Sequence, residues 1–248
     1  MANSNSDIDA ALKLHLEKKH RKKIIDFNSD VVSRLNTIDQ GQNSETMHDY
    51  IFQRFLAANY PILDASRKRF VKRMIARLKN SDMPNAVKAS SKTIENESNV
   101  ILDKNIEDYN NIMSMSVAST IVKNAKIIAN IADTDAEYVK LFSGYLHNKT
   151  SGILINSVQS PAEQSKLIVA DHINEQSLQH GGDILNKTWV AVLDDKTRPW
   201  HAEADGQRVS LHSLFIVGGE ALSRPGDTSH GASLSNIINC RCCAEFNL

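Results

Sequence analysis

The sequence predicts a mostly α-helical N-terminal region that ends in a small α+β C-terminal module. Three observations predict it. Apolar residues return at helical spacing through most of the chain before Gly181. After Gly181-Gly182 the pattern changes to short apolar runs separated by Gly, Pro and Asp, which is the rhythm of short strands and turns. The rarer residues also crowd into this last part. Both tryptophans (Trp189, Trp200), all three cysteines (Cys240, Cys242, Cys243) and seven of the ten glycines lie from Gly181 onward.

Three regions follow: a basic helical arm over 1–90, a helical region over 91–186, and the α+β module over 187–248. Residues 1–6 are polar and are expected to be disordered. From Asp7 to about Asn36, Ile8, Leu12 and Leu16 share one side of a helix, as do Ile24, Phe27, Val31 and Leu35 further on. The block from Lys18 to Lys23, KKHRKK, reads as a solvated helix face or as a phosphate contact. Gln40 to Ser44 is a polar break. A second helix is expected over Glu45–Asn59, with Pro61 interrupting it. Asp64 would cap a third helix through Lys79. Asn80 to Asn99, rich in Ser, Asn and Lys, reads as a linker or weak helix.

Helical spacing returns from Val100 to Ala132, and Asp133 or Thr134 can cap a helix that reaches about Val158, with a break near Gly152. Ser160-Pro161-Ala162-Glu163 looks like a fresh helix start, with Pro at the first position and Glu completing a capping box. That helix stops at Gly181-Gly182. In the module, Trp189–Leu193 reads as a strand and Thr197-Arg198-Pro199 as the start of a short helix. Arg208–Ser210 is extended, and Phe215–Val217 and Leu222-Ser223 flank a glycine turn. Ser233–Asn236 is a brief helix and Cys240–Phe246 a closing strand.

Lysine plus arginine equals aspartate plus glutamate at 29 each, so bulk charge implies no partner. Residues 1–90 carry 16 basic against 10 acidic side chains, and the remainder 13 against 19, so a basic arm precedes a more acidic body. No apolar run approaches the ~20 residues of a membrane-spanning helix. The first residues lack the order of a signal peptide, so a cytoplasmic protein with reduced cysteines is expected.

The basic signal is sharpest between Arg67 and Lys79, a stretch without an acid. Phe70, Val71, Met74, Ile75 and Leu78 fall within an arc of about 140° at the helical step. Lys68, Arg69, Lys72, Arg73, Arg77 and Lys79 cover the other side. Such a face suits the phosphates of double-stranded DNA, an acidic surface on a partner protein, or plain solvation.

On an extended strand alternate side chains share a face, so Cys240 and Cys242 would point one way and Arg241 and Cys243 the other. Two thiolates and the imidazole of His201 make a mixed sulfur/nitrogen set that suits zinc, with Asp195, Asp205, His212 or His230 as a fourth ligand. The same cysteines would otherwise serve as small buried apolar residues. Asp194, Asp195, Asp205 and Asp227 form a loose carboxylate set near Arg198, readable as a hydrolytic site or as turn residues. There is no serine nucleophile elbow and no H-E-x-x-H helix.

The ordered set D-D-x-T-R-P-x-H (Asp194 to His201), D-G-Q (Asp205-Gly206-Gln207), P-G-D (Pro225 to Asp227) and N-C-R-C (Asn239 to Cys242) resembles the phage Mu F-like family of minor head, or head morphogenesis, proteins of tailed phages. The likeness covers Trp189 to Cys242, with a looser lead-in from about Ser157. Asp195, Thr197, Arg198, Asp205, Gly206, Asn239 and Arg241 are the motif positions beside the three candidate ligands. Where family members often show A-R-T-E, this chain has Ala170-Asp171-His172-Ile173.

The resemblance implies a low-copy structural protein of the virion, in the capsid interior or at the portal vertex, present in the host cytoplasm during assembly. Its partners would be the portal protein, the major capsid protein or a scaffold, and packaged DNA. Two rivals stand beside it. One is a metal-dependent hydrolase, nuclease or effector delivered with phage DNA, and the other is a non-specific DNA-binding protein.

Overall fold

The computed structural model describes residues 5–37 and 44–248. The break expected at Gln40–Ser44 lies outside these residues up to position 43, as do residues 1–4 of the polar start. Asn5 and Ser6 already belong to the first helix. The helices are α1 (Asn5–Thr37), α2 (Ser44–Lys79), α3 (Asn85–Ala89), α4 (Ser91–Ala129) and α5 (Asp135–Gln179). The module follows as β1 (Asn186–Val190), α6 (Pro199–Glu203), β2 (Arg208–Ser210), β3 (Phe215–Val217), β4 (Glu220–Leu222), α7 (Leu234–Ile237) and β5 (Cys243–Phe246). The mostly helical chain with a small α+β end is what the sequence predicts.

The helices are longer than their punctuation suggests. Pro61 sits inside α2 and Pro161 inside α5, where breaks were expected. A proline in a helix interior forfeits one hydrogen bond and costs about 3 kcal/mol. In α2 that loss is offset by an apolar face that continues past it. Ile51, Phe55, Ile62, Leu63 and Phe70 are all fully buried, and each such side chain contributes about 1.5–3 kcal/mol. Asp64 consequently caps nothing. It pairs with Arg67 and Lys68 one turn on, at 2.6 and 2.7 Å.

The stretch from Asn80 to Asn99 is no linker either. It turns, forms α3 and enters α4 at Ser91, burying Val87, Ser91, Ile94 and Ser98. The serines that made it look like loop lie on a packed face. Thr134 does cap α5, accepting from the Glu137 N–H at 3.2 Å.

Two cores result. One joins α1, α2, α4 and α5 through Phe27, Val31, Phe55, Ile121, Phe142 and Leu146 among others. The basic arm of residues 1–90 is thus packed along the later helices. The second core starts on those helices, with Val71, Leu78, Leu102, Val169 and Ile173, and ends in the module, with Trp189, Phe215, Leu222 and Phe246. The module therefore shares its interior with the helices.

In the module β1 is the middle strand of an antiparallel sheet ordered β2-β1-β5, with Trp189 opposite Ala244 and Val190 opposite Cys243. Strands β3 and β4 form a hairpin whose two-residue turn is Gly218-Gly219, both at positive φ (58° and 80°). Two positive φ values make the turn that matches strand twist, and glycine adopts it freely. A Cβ at Gly218 would also lie 2.9 Å from the Trp200 ring.

Candidate metal centre

His201 is brought in by the loop after β1. Leu193, at φ 55°, turns the chain out of the sheet. Asp194 then closes a turn on itself: its Oδ1 accepts from the Lys196 N–H at 3.0 Å and from the Thr197 hydroxyl at 3.1 Å. Thr197 is spent here and does not cap α6, whose N-cap is Arg198. Pro199 opens α6, and His201 follows on its buried side.

The cysteines arrive from the other end. The closing strand begins only at Cys243, so Cys240 and Cys242 precede it and the alternation argument does not place them. Asn239, at φ 56°, turns the chain instead, and asparagine tolerates that conformation better than most residues. Its N–H reaches Asn156 Oδ1 on α5 at 3.2 Å. Gly152 leaves room for this loop, since a Cβ there would lie 2.8 Å from Asn239 Oδ1. The glycine read as a helix break is a point of close approach.

Both thiols converge on one imidazole nitrogen. Cys242 Sγ lies 3.4 Å and Cys240 Sγ 3.7 Å from His201 Nδ1. The three ligand atoms lie within 4.8 Å of one another, and all three residues are buried. Zinc bonds of ~2.3 Å to sulfur and ~2.0–2.1 Å to nitrogen at tetrahedral angles require a sulfur–nitrogen edge of about 3.6 Å. The cluster is thus already spaced to hold a metal. Among the described residues Asp195, Asp205, His212 and His230 do not join it.

The tautomer of His201 is set from behind. Its Nε2 lies 3.0 Å from Asn236 Oδ1, which also accepts from Trp200 Nε1 at 2.6 Å. The Asn236 amide donates in turn to Val217 O at 3.0 Å and to Glu220 Oε2 at 2.5 Å. The Asn236 oxygen therefore faces the imidazole and accepts a hydrogen bond from Nε2–H, which in the neutral ring leaves the Nδ1 lone pair aimed at the sulfurs. Such a second partner orients a metal-ligating histidine. Sequence reading missed Asn236 and Glu220, because no spacing rule ties them to His201.

The two thiols are pushed in opposite directions. The Cys242 thiol, donating to Cys240, holds the Cys240 sulfur well below the ordinary thiol value. The same bond and burial push Cys242 up. A dication would displace the thiol protons, since thiolates are the ligands. Cys243 faces away toward Lys166 and Lys13, and burial raises it to about 11.

The backbone that carries the thiols is anchored by a buried ionic cluster from three helices. Lys13 of α1 reaches Glu163 Oε1 of α5 at 2.7 Å, and Lys166 reaches Glu163 Oε1 at 3.0 Å and Asp9 Oδ2 at 2.9 Å. Arg73 of α2 also binds Asp9. Glu163 Oε2 accepts from the Ala244 N–H at 2.8 Å, and Gln159 Nε2 donates to Cys242 O at 2.6 Å. The glutamate expected in a capping box thus holds the start of β5. Burial alone would raise its pKa, but the Lys13 and Lys166 ammonium groups hold it below the ordinary value.

The remaining motif residues knit the module. Arg241 forms a two-pronged pair with Asp194, which holds that carboxyl below its usual range, while Asp195 is exposed. Arg198 donates to Ile238 O. Asp205 Oδ1 accepts from the Ala191 N–H at 2.8 Å, and the N–H of Gly206, at φ 77°, donates to Trp189 O at 2.8 Å. Gln207 bonds both backbone groups of Ile216, at 2.7 and 3.0 Å. Buried Asp227 gathers Ser223, Ser229 and His230. Asp194, Asp205 and Asp227 are each engaged in a separate internal bond set.

The basic face of α2 is partly spent inside the protein. Arg73 turns to Asp9, and Arg77 donates to Phe246 O at 2.7 Å. Lys68 pairs with Asp64, and Arg69, Lys72 and Lys79 are exposed. In the block on α1, His20 is buried and its five basic neighbours, Lys18, Lys19, Arg21, Lys22 and Lys23, are exposed. His172 bonds Ser98 Oγ at 3.1 Å and Ile168 O at 3.0 Å. No helix among the described residues is long and apolar enough to cross a membrane. No protein-family model, curated protein or solved structure matches the chain.

Proposed function

We propose that this chain is a minor head protein of a tailed bacteriophage, an assembly component of the capsid near the portal vertex, with zinc in its C-terminal module. The observation that carries the reading is how the signature residues are used. Asp194, Thr197, Arg198, Asp205, Gln207, Asp227 and Arg241 each make internal bonds that hold strands and loops of the module in place. A motif spent on architecture fits a structural protein. A carboxylate-based hydrolase or nuclease needs several carboxylates converging on one substrate, and those here are dispersed.

Zinc suits the donor set of two thiolates and one imidazole. His201, Cys240 and Cys242 would hold it, and it would supply cohesion to a module of short strands and long loops. The portal protein, the major capsid protein or a scaffold are the partners this role requires. The exposed Arg69, Lys72 and Lys79 are available to DNA or to an acidic protein surface.

The test is mass spectrometry of procapsids and virions built from the genome that encodes the chain. The reading expects the protein in the particles at a small fraction of the major capsid protein. Absence from both would refute it.

A further inference from the structure

The three candidate ligands can serve as three corners of a tetrahedron, and no fourth histidine, cysteine or carboxylate joins them among the described residues. What it has is an opening. His201, Cys240 and Cys242 all line one narrow pocket at the surface, whose rim carries Lys196, Thr197, Arg198 and Arg241. A zinc site held only for cohesion is closed by four protein ligands, whereas three ligands with an open corner leave the metal free to take a fourth from solution.

Charge and size narrow that fourth ligand. Two thiolates neutralise a dication, so an anionic fourth ligand makes the centre negative. Three cationic side chains surround the opening. The Arg241 charge is balanced by Asp194, and Arg198 is tied to a neutral carbonyl, Ile238 O. Lys196 is exposed at the mouth. With Asp194 and the exposed Asp195 set against Lys196, Arg198 and Arg241, the rim keeps one net positive charge, which favours an anion. The pocket is narrow, so the donor must be small or have a slender tip.

We propose that the metal held by His201, Cys240 and Cys242 keeps one coordination position open to this pocket, and that a small anion from solution occupies it. The proposal rests on the metal reading above and goes beyond it. The centre both holds the module together and exchanges a ligand.

Cobalt(II) reports the two separately. The full chain is reconstituted with cobalt, and metal content is measured after gel filtration. Visible spectra are then recorded during a sodium azide titration. The expected result is one cobalt per chain with sulfur-to-cobalt charge-transfer bands, and d–d bands that shift saturably with azide while the cobalt stays bound. Lys196→Gln should retain the cobalt and weaken azide binding several-fold. Bound cobalt whose d–d bands ignore azide would overturn the open position and leave the metal reading intact. Failure to bind cobalt at all would overturn both.

Discussion

The helical end of the molecule and the thiol-bearing end solve the problem of burial with different residues. Around Phe55 the helices bury long apolar side chains against one another, with Phe27 edge-on to Phe55 at 5.4 Å between ring centres. Around Trp189 the strands are three to five residues long, and loops outweigh them. There the packing is supplemented by asparagine, aspartate and glutamine side chains bonded to backbone, by a buried charge cluster that reaches in from α1, α2 and α5 to the Ala244 N–H, and by two thiols facing an imidazole. Where apolar area is scarce, directional chemistry takes over, and a bound metal would add a strong directional bond to a small module.

The largest expected effect separates the two ends. Cys242→Ser should abolish stoichiometric metal binding and loosen the module, because metal affinity in such sites is folding free energy on the order of 10 kcal/mol. Phe55→Ala should cost about 3–5 kcal/mol and yet leave the metal in place. Elemental analysis beside thermal melts compares the variants directly. If Phe55→Ala released the metal as completely as Cys242→Ser, the two ends would be a single unit.

Next in size is the ionic cluster. Glu163→Gln leaves Lys13 and Lys166 buried without their shared carboxylate, and breaking such a pair costs about 3–5 kcal/mol. The pH dependence has a definite sign. Glu163 is lowered from its ordinary 4.5, so its contribution is present above that value and fades as pH falls through the lowered folded value. Denaturant melts should show a wild-type advantage over Glu163→Gln that is constant near neutrality and shrinks below pH 4.5. An advantage that grew on acidification would contradict the pairing.

The smallest effect belongs to the residue behind the histidine. Asn236→Ala removes the oxygen that orients His201, which should weaken the metal by about 10–100-fold without unfolding the chain. Competition with a chromophoric chelator measures it. An unchanged affinity would mean that His201 is oriented by packing against Trp189 and Trp200 alone.

The module was more legible from sequence than the long helices. Gly-Gly and Arg-Pro act locally, and local geometry placed the hairpin and α6 close to where they fall. Pro61 and Pro161 misled because a proline's penalty is local, while the apolar faces of α2 and α5 run past it. The serines at Ser91 and Ser98 misled because composition does not reveal which side of a helix a small residue occupies. His201, Cys240 and Cys242 were identified from donor type, although the thiols converge through the left-handed turn at Asn239 and not through strand alternation. Asn236 carried no signal, because its role exists only once α7 has folded against β3 and β4.

Metal content and chelation of the wild-type chain, read through tryptophan, test the central claim most directly. Trp189 lies edge-on to His201 at 5.7 Å between ring centres, and Trp200 bonds the same Asn236 oxygen as His201. Both indoles therefore report on the site. The prediction is one zinc per chain, and a chelator-induced change in tryptophan emission while much of the helical circular dichroism remains. Cys243→Ser, whose side chain faces away, should behave as wild type. Purified protein without metal, with emission and melting curve unchanged by chelator, would contradict the claim and leave Cys240, Cys242 and His201 as packing residues.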